Sequence, residues 1–167
     1  GVDWLTIGGN IPVKLFSTAF FARSTEIVAM MADILGKDDE AEKYYKLHEA
    51  IKSVFVCEFV QADGTVAGDS QGAYALALAF NLVPEERREQ IAAKMVEALK
   101  KNGGKMTTGT ATTPHLLLEL SRNGYHSEAC RLVQSRQMPS WGFMIEQGAT
   151  TIWENWDGYV PGRGFAS

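Results

Sequence analysis

Apolar residues recur every three or four positions along most of this chain, and glycine or proline interrupts them at short intervals. Phe16, Phe20, Ile27, Met30, Met31 and Ile34 predict one buried stripe on a helix running from Leu15 to Leu35, with Gly36 as its stop. Asp38 and Asp39 are placed to cap a second helix, whose stripe is Ala41, Tyr44, His48, Ile51 and Phe55. His48 lies on that stripe and reads as a hydrogen-bonded core histidine. The period then fails between Phe59 and Ala67, where Asp63-Gly64 predicts a tight turn between short extended pieces. Helices resume at Gln71–Leu82, after Pro84 with Ile91, Met95 and Leu99, from Thr113-Pro114 with Leu117, Leu118 and Leu120, and from Ser127 to before Pro139. Asn102-Gly103-Gly104 and Asn123-Gly124 punctuate them. About six helices joined by short connections, with no alternation of strand and helix, predict an all-α fold of antiparallel helical hairpins. Such hairpins stack as a solenoid or close into an α/α toroid, and periodicity does not choose between the two.

The size suits a single unit, and residues 1–167 are read as one domain or part of one. With 46% hydrophobic residues and a formal net charge of −4 from interspersed acids and bases, the chain lacks the basic bias of a nucleic-acid or anionic-membrane partner. No apolar run approaches the roughly 18 residues needed to cross a bilayer. The two cysteines, Cys57 and Cys130, follow no metal-ligand spacing and read as buried free thiols. No signal sequence is recognised, which leads to an expectation of a cytoplasmic location. Neither end has a closing element, so both are expected to continue.

From Trp141 the pattern changes. Trp141, Phe143 and Ile145 alternate with Gly142, Met144 and Glu146, predicting an extended segment that turns at Gly148. Glu154 follows, set between Trp153 and Trp156. A carboxyl beside indole rings is open to desolvation, and a poised carboxylate can take a proton from water in glycoside hydrolysis. Indole faces also stack on the apolar faces of sugar rings. Read structurally, the same tryptophans are core anchors and Glu154 simply reaches solvent. Asp3-Trp4 repeats the pairing of acid and aromatic, and Trp141 is a further platform. Lys105 to Thr113 is rich in hydroxyls that face a polyol or satisfy turns. His115 has no second histidine at helical spacing, and no serine lies in a nucleophile elbow. Neither a nucleotide-binding loop nor a cofactor motif is present.

The run Pro139-Ser140-Trp141-Gly142-Phe143, followed by Glu146 through Asp157 with Thr150-Thr151-Ile152-Trp153-Glu154 at its centre, resembles the catalytic domain of the α-L-rhamnosidases of glycoside hydrolase family 78. Asp3-Trp4-Leu5, Gly72 through Leu78 and Thr108-Gly109 through Leu117 are similar to further segments of that family. The resemblance implies part of an (α/α)6 barrel with short β-like loops. It implies inverting hydrolysis of terminal α-L-rhamnosides without a cofactor, and rhamnose-containing glycosides as partners. By resemblance Glu154 is the general base, Trp4 lines the sugar pocket and Trp141 sits at its mouth; Asp3, Trp153 and Trp156 are added from their residue types as substrate-binding candidates. Val2 separates Gly1 from Asp3, which the family more often has adjacent, and Asn155 stands where arginine is frequent. The family's general acid precedes the matching region and a pocket histidine follows it, so this segment is expected to hold one of two catalytic carboxylates and about half of a barrel. An open half-barrel is expected to self-associate through its helix faces. Two alternatives stand beside this reading: a non-catalytic helical sugar-binding or interaction module, and a different α/α-toroid glycosidase.

Overall fold

The computed structural model describes residues 2–160 and 162–165. Among the described residues seven α-helices follow one another: α1 (Val13–Ile34), α2 (Asp38–Phe59), α3 (Gln71–Ala79), α4 (Arg88–Lys101), α5 (Thr113–Arg122), α6 (His126–Gln134) and α7 (Trp141–Glu146). A single 3₁₀ turn, Glu85–Arg87, leads into α4, and a minimal antiparallel ribbon pairs β1 (Tyr159–Val160) with β2 (Gly164–Phe165). The helices pair as hairpins, α1 with α2, α3 with α4 and α5 with α6, while α3 also packs on α5 and α1. The all-α hairpin architecture is therefore as the periodicity predicts.

Local chemistry explains where these helices stop. Five of them end in the same 6→1 and 5→2 pattern. After α1, Lys37 N–H donates to Ala32 O at 2.9 Å and Gly36 N–H to Asp33 O at 3.0 Å. The equivalent 6→1 bonds run from Leu82 to Ala77, Gly104 to Leu99, Tyr125 to Leu120 and Ala149 to Met144. The residue that turns the chain is Gly36, Asn81, Gly103, Gly124 or Gly148, each with positive φ, which only glycine and to some degree asparagine adopt cheaply. The predicted turn at Asp63-Gly64 also forms, closed by Gln61 N–H donating to Thr65 O at 2.8 Å and by a Val60–Val66 bridge.

The core centres on α3, buried at every position from Gln71 to Leu78. Ile91, Met95 and Leu99 of α4 and Leu116 and Leu120 of α5 close over it. On α5 the buried pair is thus Leu116 and Leu120; Leu118 is exposed, contrary to the predicted face. Glu119, also buried, ties α5 to α4 by accepting from Arg88 at 3.1 Å, and Arg122 donates to it at 2.8 Å. A charge so deep persists only with such partners. His48 is a core histidine as expected, its Nδ1 3.0 Å from Ala22 O.

Helix α1 corrects the predicted stripe. Its packed seam is Leu15, Ala19, Ala22, Thr25, Ala29 and Ala32, while Ile27, Met30, Met31 and Ile34 lie exposed. Phe16 and Phe20 of the predicted stripe do pack against the core, but both faces of this helix are apolar, and from Ile27 onward ranking residues by size selects the wrong one. Small residues win the seam because they let α2 approach closely. The cysteines are free but not buried: Cys57 is exposed and Cys130 half-exposed, on the outer sides of α2 and α6. Asp38 and Asp39 lie inside the first turn of α2, with Lys37 at the cap position. Their charges oppose the N-terminal dipole instead of capping it by hydrogen bond. The predicted extended segment at Trp141 is helix α7. Ser140 caps it by accepting from Phe143 N–H at 3.0 Å, and Trp141 and Met144 share one face at i, i+3 spacing. Among the described residues no helix is long and apolar enough to cross a membrane.

Candidate active site

The site is assembled from three stretches distant in sequence: the N-terminal segment, the loop before α5, and α7 with the tail behind it. Asp3 joins the first two. Its carboxylate, 3% exposed, accepts from Gly109 N–H at 2.7 Å, from Ala111 N–H at 3.1 Å and from the Thr112 hydroxyl. Trp4 O in turn accepts from Thr110 N–H at 2.8 Å. The two strands of chain come so close that a Cβ on Gly109 would sit 2.2 Å from Trp4 O, so this position admits glycine alone. The threonine hydroxyls are mostly spent inside the loop: Thr113 donates to Gly109 O at 2.8 Å, and the Thr108 and Thr113 hydroxyls lie 2.8 Å apart.

The tail is tied to the same loop by Trp156. This ring is buried, its indole N–H donates to Thr108 O at 2.9 Å, and its centroid lies 5.4 Å from that of Trp141 in an edge-to-face arrangement. Trp153 is held by a second aromatic group, with Phe165 at 5.3 Å, Tyr159 at 5.6 Å and Phe143 at 6.4 Å.

These anchors enclose a cavity of about 440 Å³. Trp141, Trp153, Trp156 and Glu154 line it, as do Leu5, Gly109, Thr110, Thr113, Pro114, Met144 and Ile152. Among the described residues Glu154 is the only charged one on its wall. The carboxylate is exposed at the rim and is not desolvated between the rings as the sequence suggests. Trp4 stands at that rim, 62% exposed, and its indole N–H donates to Glu154 Oε1 at 3.3 Å. Asp3 is not on the cavity wall. It lies beneath it, with both oxygens committed to the loop, so it positions the wall and does not face the cavity. Thr110 belongs to the hydroxyl-rich stretch read from the sequence, whereas Leu5, Met144 and Ile152 are not singled out there as wall residues. Leu5 alone has a conformational signature, a φ of 65° that is uncommon for a bulky side chain. Asn155 is half-buried, and its Oδ1 faces no donor.

Residues 1–167 match, over their whole length, the bacterial alpha-L-rhamnosidase 6 hairpin glycosidase domain. The chain belongs to this family. An α-L-rhamnosidase of Streptomyces avermitilis is 40% identical over 163 residues, which are 98% of this chain and 16% of that protein. One from Formosa agariphila is 35% identical over 159 residues, 94% of this chain and 17% of that protein. The crystal structure of the Streptomyces avermitilis α-L-rhamnosidase complexed with L-rhamnose superposes on 99% of this chain with a TM-score of 0.94, using 16% of its own length. Native α-L-rhamnosidase from Aspergillus terreus, 29% identical, superposes on 98% of this chain with a TM-score of 0.92, using 20% of its own length. This chain thus spans about one sixth of the curated rhamnosidases it matches. The helical hairpins belong to a six-hairpin glycosidase fold, and a solenoid is set aside.

His115 stands apart from the cavity. Its ring meets the edge of Phe80 at 5.0 Å, and burial holds its pKa below the usual histidine value. Among the described residues no group of three or more histidine, cysteine or acidic side chains is arranged to hold a metal ion.

Proposed function

We propose that this chain is the base-bearing part of an α-L-rhamnosidase catalytic domain, contributing three of the six hairpins of its helical ring, and that Glu154 is the general base of an inverting hydrolysis. The observation that carries this reading is the placing of one carboxylate on the wall of a cavity otherwise built of indole rings and apolar side chains. A deoxy-sugar has apolar faces that suit such walls, and the indoles of Trp141, Trp153 and Trp156 are fixed before any ligand arrives.

In the proposed reaction a water molecule sits between Glu154 and the anomeric carbon. Glu154 takes a proton from that water, the water's oxygen bonds to the anomeric carbon, and the bond from that carbon to the leaving oxygen breaks. A second carboxylic acid, about 6.5–9.5 Å from the Glu154 carboxylate and in hydrogen-bond reach of the leaving oxygen, gives that oxygen its proton. Among the described residues no other acidic residue lines the cavity, and the acid is assigned to another part of the parent protein. The isolated segment would therefore bind α-L-rhamnosides rather than turn them over. That expectation keeps the sugar-binding module as the second reading, favoured by the same lack of a second carboxylate on the wall.

The test is Glu154→Gln in the full-length parent. Loss of a general base lowers kcat by about 10²–10⁴-fold while rhamnose binding survives. Unchanged turnover of an unactivated rhamnoside removes Glu154 from the mechanism. Loss of rhamnose binding in the parent itself, or faster turnover of another aryl glycoside, points to a different sugar.

A further inference from the structure

We infer that Trp4 is a positioning residue for Glu154: its indole N–H holds the base in its working orientation, a task distinct from lining the sugar pocket. The inference rests on the assignment of Glu154 as base. Glu154 is exposed, and its side chain has several free torsions whose ordering costs on the order of 1–2 kcal/mol. A base must stand within hydrogen-bond reach of the proton it removes, and a misplacement of about 1 Å can cost about 100-fold in rate. Something must therefore restrain this carboxylate. Among the described residues its one hydrogen-bond partner is Trp4 Nε1, 3.3 Å from Oε1. Among the described residues Oε2 has no hydrogen-bond partner.

Trp4 is suited to the task because its backbone is tied to the loop before α5. Asp3 is bound by three donors of the loop before α5, and Trp4 O accepts from both the amide and the hydroxyl of Thr110, at 2.8 and 3.3 Å. The ring is then carried on a rigid stem with two torsions. Trp4 is also absent from the cavity wall, although it is a large aromatic at the rim. A residue whose only service was stacking would be expected on that wall.

The test replaces Trp4 in the full-length parent by phenylalanine and, separately, by 3-benzothienylalanine, which keeps the shape of the ring and puts sulfur in place of N–H. Both are expected to lower kcat about two- to tenfold, the net worth of one hydrogen bond, with KM and the Kd for L-rhamnose within twofold of wild type. In a Glu154→Gln background the same replacements should add no further loss. A rise in KM and rhamnose Kd at unchanged kcat makes Trp4 a sugar platform only and overturns the inference. So does an additive loss in the double variant, or wild-type kcat with benzothienylalanine. If Glu154→Gln itself keeps full turnover, the base assignment fails first, a result distinguishable from failure of the Trp4 role alone.

Discussion

Asp3→Asn isolates the contact on which the whole site is mounted. The wild-type carboxylate accepts from Gly109 N–H and the Thr112 hydroxyl on one oxygen and from Ala111 N–H on the other. An asparagine has one oxygen. If that oxygen keeps Gly109 and Thr112, the amide NH₂ faces Ala111 N–H, donor against donor. The change loses one hydrogen bond to a charged acceptor, worth about 1.5–3 kcal/mol, and leaves a partly buried donor unpaired, at about 1–3 kcal/mol. The two overlap, so the loop should be destabilised by about 2–5 kcal/mol, against a typical domain stability of about 5–15 kcal/mol. Hydrogen exchange followed by mass spectrometry on the peptide covering Met106–Thr112 reads this locally in the full-length parent. At 1.4 kcal/mol per factor of ten, exchange there should quicken by roughly 30- to 3,000-fold if local opening limits it. Peptides from α2, remote from the loop, should be unaffected. Exchange within threefold of wild type would mean that the carboxylate's charge and second oxygen are dispensable, and the account of Asp3 as the anchor of the site would be wrong.

Other consequences are shorter to state. Gly109→Ala drives a methyl group into Trp4 O and should abolish activity while sparing the helical circular-dichroism signal; an active, wild-type-like Ala variant refutes the close-approach argument. Trp156→Phe removes the bond to Thr108 O and part of the contact with Trp141, and should lower stability by about 1–3 kcal/mol, seen as a reduced Tm. His115 has a pKa lowered by burial, so the unfolded state binds the extra proton first. Its contribution to stability is whole above about pH 6.5 and is lost as pH falls from there through the folded pKa. His115→Gln should flatten that part of the stability–pH curve. The isolated segment should self-associate in size-exclusion chromatography, because Phe21, Met31, Ile34 and Leu35 present an exposed apolar face on α1; a monomer at high concentration counts against this.

What could be read in advance followed the range of the forces involved. Helix ends were legible because Gly36, Gly103, Gly124 and Gly148 each act on backbone groups within six residues. The stripe of α2 was legible because charged residues dominate its other faces, where Tyr45, Leu47 and Val54 are only scattered. On α1 two apolar faces competed, and only the neighbouring helix decided between them. The alternation from Trp141 to Glu146 misled because a six-residue stretch is compatible with both periods, and the Ser140 cap settles it in favour of helix.

The same division runs through the site. Its parts, Glu154 with its flanking tryptophans and the Asp3-Trp4 pair, stand out in the residue string, because carboxylates beside indoles are unusual wherever they occur. Their relations do not. That Asp3 lies under the wall, that Trp156 hangs from Thr108, and that Trp4 reaches Glu154 across 150 positions follow from the path of the folded chain. Periodicity, caps and turns are set by neighbours along the backbone, so residue order determines them. A hydrogen bond between residues so far apart depends on how every intervening hairpin packs, and only the tertiary structure holds that information.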